Sequence, residues 1–179
     1  MISIVPSGQT AASATLDQPI EHLAACHRRI EQRLETLERA AAALDTQRGE
    51  ALQAIRNAFA FLDSHGVLHT RDEEESLFPR LRGKLTLEQE SLLTSLESDH
   101  QLAHHLDSSL RLIVDQLASS AAPAPDLTRE LHDLTARFCA LYRRHIAVED
   151  SQLAAVIRAV LTPTELTAIA AEMRHRRGL

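Results

Sequence analysis

The sequence predicts an all-α protein, an up-down-up-down four-helix bundle with a short additional C-terminal helix. Three observations carry that expectation. The composition is rich in Ala, Leu, Glu, Arg and Gln, all good helix formers, while aromatics make up only 3% and glycines number five. Alternation of apolar and polar residues with period two, the mark of a half-buried strand, is nearly absent. Apolar residues recur instead at three- and four-residue steps over four long stretches joined by short turn-like segments. With 179 residues, the chain can enclose one domain with a sizeable core.

The elements follow in order. Residues 1–16 lack a basic stretch followed by an apolar one, so they read as a flexible N-terminal arm and not a signal peptide. The bundle is expected over 17–160 and the C-terminal helix, packed on it, over 161–179. Asp17 and Pro19 open the first helix, whose inward stripe is Ile20, Leu23, Ala24, Ile30, Leu34, Leu37, Ala41 and Leu44. Asp45 to Gly49 makes a turn. The second helix runs from about 50 to 81, with a kink at Ser64-His65-Gly66. Thr86 and Gln89 have capping-box spacing and open the third helix, which reaches about Ser119. "SSAAPAP" reads as a linker, and Asp126 as the cap of a fourth helix that continues to about 160. Thr162, Pro163 and Glu165 combine a capping box with proline at the first helical position, starting the short last helix. Arg174, Arg176 and Arg177 around His175 fall in its final turn, where they suit the helix dipole.

Charge and cysteine content narrow the function. A net charge of −6 argues against a nucleic-acid or anionic-membrane partner. No apolar run approaches ~18 residues, so no membrane span is expected. Cys26 and Cys139 lie in helical patterns and form no CxxC unit, which reads as two small core residues of a cytoplasmic protein.

The histidines carry more. There are ten, and they form the i,i+4 pairs His27/Glu31, His69/Glu73, His145/Glu149, His65/His69 and His100/His104. That spacing puts both side chains on one helix face, as metal chelation from a single helix requires, but a surface ion pair needs the same spacing. Depth decides between them. In an up-down bundle, His27, His69, His100 and His145 fall within a layer of about 8 Å, counted at ~1.5 Å rise per residue. Glu73, His104 and Glu149 bracket that layer from one turn away. On the fourth helix, His145 continues the apolar stripe of Leu131, Leu134, Phe138, Leu141, Tyr142, Val148, Leu153 and Val156. Four helices sending histidine into one layer point to a metal site.

The other histidines are expected outside it. His22 points ~140° away from His27, and His105 lies ~100° from His104, so only one of that pair faces in. His132 and His175 lie near helix ends, His65 is set apart by Gly66, and Glu31 stays at the surface. In "HTRDEEESLFP", Glu73 faces the metal layer while Asp72, Glu74 and Glu75 form a solvated face, with Glu74 the alternative if the kink turns the helix.

Five imidazoles and two carboxylates exceed the needs of one ion. Without a thiolate, they suit two iron ions better than manganese or zinc. The Glu-x-x-His pairs of ferritin-like sites are missing, because histidine comes first here, at i,i+4. The segments "ACHRRIEQRL", "LHTRDEEESLFPRL", "SDHQLAHHL" and "YRRHIAVED" resemble those of the hemerythrin-like, or HHE cation-binding, family across about residues 17–160. The resemblance implies a non-haem centre of two iron ions, oxo- or hydroxo-bridged. Its ligands would be His27, His69, Glu73, His100, His104, His145 and Glu149, with Glu73 and Glu149 bridging. It implies dioxygen as the ligand for storage, delivery or sensing, or else enzymatic action on peroxide or nitric oxide in stress defence. Two departures stand out. Thr70 takes a place where many bacterial relatives carry histidine. Hemerythrins proper have one more residue before the final acid, which would select Asp150 over Glu149.

Overall fold

The computed structural model describes residues 16–120 and 124–179. The N-terminal arm expected over 1–16 lies outside the described residues except for its last position, as does the middle of the "SSAAPAP" linker. The described residues form five helical rods. The first, α1, is Pro19–Ala42, with proline in its first turn. The second, α2, comprises Arg48–Phe61, Val67–Asp72 and Phe78–Leu81. One-turn π segments at Leu62–Gly66 and Glu73–Leu77 join its three parts. The third, α3, is the unbroken Leu87–Ser119, opened by the reciprocal Thr86/Gln89 capping box. The fourth, α4, comprises Pro125–Val148 and Ala154–Val160 around a π segment at Glu149–Leu153. The last, α5, is Pro163–Arg176, opened by the Thr162/Glu165 capping box.

Cross-links fix the antiparallel packing. Arg48, at the start of α2, reaches the Leu117 carbonyl at the end of α3, and Arg111 holds Asp63 at 2.8 Å further along. His132, early in α4, lies 2.7 Å from the carbonyl oxygen of Ala41 near the end of α1, and Arg144 of α4 donates to Asp99 of α3 at 2.8 Å. Two apolar clusters fill the bundle. One gathers Ile30, Leu34, Ile55, Phe59, Leu110 and Phe138; the other gathers Leu23, Leu77, Phe78, Leu93, Leu153 and Ile157, closed by Ile169 and Met173 of α5. Along α1, α2 and α4, the buried residues between these clusters are polar: His27, His69, Glu73, His145 and Glu149. Burying ionisable groups at mid-core is costly unless something neutralises them.

The Ser64-His65-Gly66 step, where a kink was expected, lies in the one-turn π segment Leu62–Gly66 of α2. The helix passes through a π turn, in which the Val67 N–H donates to the Leu62 carbonyl, and Gly66 keeps helical dihedrals. Asp126 does not cap α4; Ala124 takes the cap position, Pro125 follows, and Asp126 pairs with Arg129 inside the first turn. Asp72 is not solvated but fully buried, because Arg176 at the end of α5 and Arg177 just after it lie on it at 3.3 Å and 2.7 Å. The basic end of α5 is therefore a clamp as well as a dipole partner. Among the described residues, no helix is long and apolar enough to cross a membrane.

Candidate metal centre

Four helices place six side chains in the polar layer. α1 supplies His27, α2 His69 and Glu73, α3 His100, and α4 His145 and Glu149. They form two groups of four, each with its ligand atoms within 4.8 Å of one another. One is His27, His69, Glu73 and Glu149; the other is Glu73, His100, His145 and Glu149. The two carboxylates belong to both.

The imidazoles face each other through the same atom. His27 and His69 bring their Nε2 atoms to 3.2 Å, and His100 and His145 bring theirs to 3.1 Å. Carboxylate oxygens lie beside them: Glu73 is 3.2 Å from His69 and 3.4 Å from His100, and Glu149 is 3.1 Å from His27 and 3.3 Å from His145. Both Glu residues open a π turn. The Phe78 N–H donates to the Glu73 carbonyl, and the Ala154 N–H donates to that of Glu149. Single π turns of this kind gather at functional sites in helices.

Two further carboxylates orient the cluster from outside. His27 donates through Nδ1 to Asp150 at 2.7 Å, and His100 donates through Nδ1 to Glu74 at 2.8 Å. Each bond holds a proton on Nδ1 and turns Nε2 toward the cluster, the orientation a metal-ligating histidine needs. Glu74, expected on the solvated face, and Asp150, expected as the alternative to Glu149, each reach a histidine on a neighbouring helix. A signal was present in the sequence. The pattern His-x-x-x-Glu-acid occurs at both 69–74 and 145–150, and the structure makes the two copies equivalent.

Protein groups alone leave the layer unsatisfied. Buried atoms without a hydrogen-bond partner include Glu73 Oε2, both carboxylate oxygens of Glu149, and Nδ1 of His69 and His145. Burial and the neighbouring Glu149 charge push the Glu73 carboxyl well above its usual range, while burial drives the His69 imidazole well below its own. Burial also opposes a proton on His27, but Glu149, Glu73 and Asp150 outweigh it and raise His27 to about 9. Converging lone pairs and orphaned carboxylate oxygens in a dry layer fit cations placed between them. Cys26 and Cys139 are buried free thiols, and neither belongs to either group.

His104 is the one expected ligand that the structure does not bring in. The buried seam of α3 runs through Leu96, then Ala103, Leu106 and Leu110, so past His100 it advances by three residues. His104 falls ~100° beyond Ala103 and is exposed, as is His105. Glu149 lies inside both groups, and Asp150 is half exposed behind His27. His22 is buried against the Cys26 sulfur, His65 stacks on Phe61, and Glu31 pairs with Arg143, all outside the cluster.

The two groups meet different surroundings. A cavity of about 20 Å³ adjoins His27, Glu73 and Glu149 and is otherwise walled mainly by apolar residues, among them Leu23, Leu77, Leu153 and Ile157. A cleft of about 290 Å³ between α2 and α3 reaches His100. Burial raises the phenol of Tyr142, which lines that cleft, well above its usual range and keeps it protonated.

Comparison with known proteins agrees with this geometry. Residues 18–157 match the profile of the hemerythrin HHE cation-binding domain. An uncharacterized protein of Haemophilus influenzae is 29% identical over 168 residues, covering 92% of each chain.

Proposed function

The chain belongs to the hemerythrin HHE cation-binding domain family, and on that premise we propose that it is a non-haem di-iron protein that binds dioxygen. The observation that carries this reading is the pair of four-donor groups sharing Glu73 and Glu149. His27 and His69 would hold one ion, His100 and His145 the other, and the two glutamates would bridge them. Imidazole and carboxylate donors without thiolate favour iron, with manganese next and zinc last. When bound, such a pair supplies open coordination positions and two exchangeable electrons to a small ligand.

The chain's own residues would do the rest. Asp150 and Glu74 hold the imidazoles of His27 and His100 in the ligating tautomer. The apolar cavity beside His27 has room for about one water-sized molecule, which suits a diatomic ligand and disfavours bulk water. Leu23, Leu77, Leu153 and Ile157 then shelter that position. A second reading, turnover of peroxide or nitric oxide, draws support from the larger cleft on the His100 side, since an accessible centre reacts as well as binds. Anaerobic reconstitution with ferrous iron followed by oxygen separates them. A carrier develops an absorption band that disappears on removing oxygen; an enzyme consumes peroxide or nitric oxide at a steady rate. A chain that holds no iron contradicts both.

A further inference from the structure

The two halves of the centre differ in what approaches them. The His27–His69 half adjoins the small apolar cavity. On the other half, His100 lines a cleft more than ten times larger, walled by polar as well as apolar groups. Because His104 turns outward into this cleft, the His100–His145 group keeps four protein donors and no third imidazole. An iron ion there has room for an exogenous ligand.

The cleft also carries uncommitted hydrogen-bonding groups. Both arginines on its wall are paired: Arg111 with Asp63 at 2.8 Å and Asp107 at 2.7 Å, which line the cleft too, and Arg71 with Glu75 at 2.8 Å. Thr70, His104 and Tyr142 line the same space, and among the described residues none of their side chains has a hydrogen-bond partner. Tyr142 stands out. Its ring packs on Phe138 at 4.9 Å, and it sits three residues before His145 on one face of α4. A hydroxyl held on a packed ring and left without a protein partner is a ready donor to whatever occupies the cleft.

We infer that the cleft between α2 and α3 is a second ligand site. There a small oxygen- or nitrogen-donor molecule, up to the size of a short carboxylate, reaches the metal held by His100 and His145 and accepts a hydrogen bond from Tyr142. A short carboxylate is too large for the cavity beside His27, so the two ends of the centre sort ligands by size. This inference rests on the di-metal reading above.

Butyrate is the probe, titrated calorimetrically into the iron-loaded protein, with iron per chain measured for every variant. Tyr142→Phe removes only the hydroxyl. Val67→Trp closes the mouth from a position that is 52% exposed and leaves the core untouched. The expected result is butyrate binding by the parent protein, weakened about tenfold in Tyr142→Phe and abolished in Val67→Trp, with iron content unchanged. A loaded protein that does not bind butyrate, or binds it equally in all three forms, overturns this inference alone. A parent chain that takes up no metal overturns the di-metal reading as well.

Discussion

At the scale of the residue, the centre depends on which side chains turn inward, and helical spacing predicted most of them. His27, His69, Glu73, His100, His145 and Glu149 were legible because each continues an apolar stripe or pairs at i,i+4 at one depth. His104 was not, because spacing gives a face but not where the seam of a long helix drifts, and on α3 it drifts to Ala103. Glu74 and Asp150 were read only as alternatives to Glu73 and Glu149, and their place behind the histidines was not legible, for the opposite reason. They point off their own helix seams, and only the neighbouring helix shows what they touch. Glu73→Gln removes a carboxylate that both groups share, so metal content should fall from about two ions per chain to one or fewer. His104→Ala should leave it unchanged. Metal analysis of the two purified variants checks both outcomes, and the reverse pattern would restore His104 to the ligand set.

At the scale of the element, α5 matters more than its dipole-friendly sequence suggested. Its capping box was readable from Thr162 and Glu165, but its docking was not, since Asp72 looked like one acid in a solvated run. The helix is fastened by Arg176 and Arg177 on Asp72 and by Arg80 on Glu172 at 2.6 Å. Asp72 is fully buried and sits next to Glu73. Asp72→Ala should therefore destabilise the fold by about 2–3 kcal/mol, measured by urea unfolding; a change below ~0.5 kcal/mol would show that the clamp contributes little. Acid should loosen the same helix. Lys84 lowers the Glu165 carboxyl to about 2, and Arg80 lowers that of Glu172. Both are depressed in the folded state, so their contribution is present above the ordinary value of about 4.5 and fades as pH falls through the lowered values. Pepsin should cut the 163–176 region ahead of the bundle as pH drops from about 4.5 towards 2. Simultaneous cleavage throughout would contradict this.

At the scale of the whole molecule, the bundle was legible because propensity, stripe and caps agree, and because counting residues from helix ends set the depth of each histidine. The near-twofold likeness of its halves was not. No repeat stands out when whole segments are compared, yet His-x-x-x-Glu-acid followed by a π turn recurs on α2 and α4. Matching histidines on α1 and α3 complete each half. The polar layer between two apolar clusters makes metal binding part of the folding free energy. Chelation should lower Tm by roughly 10 °C, as expected when about 3–4 kcal/mol of ligand stabilisation is lost from a chain of this size. An unchanged Tm would mean the layer is satisfied without cations. The most direct test is anomalous diffraction at the iron edge from crystals of the reconstituted protein. The account predicts two peaks about 3.5–4 Å apart, one beside His27 and His69 and one beside His100 and His145, with Glu73 and Glu149 between them. A single peak, a peak ligated by His104, or no peak in the layer would contradict it.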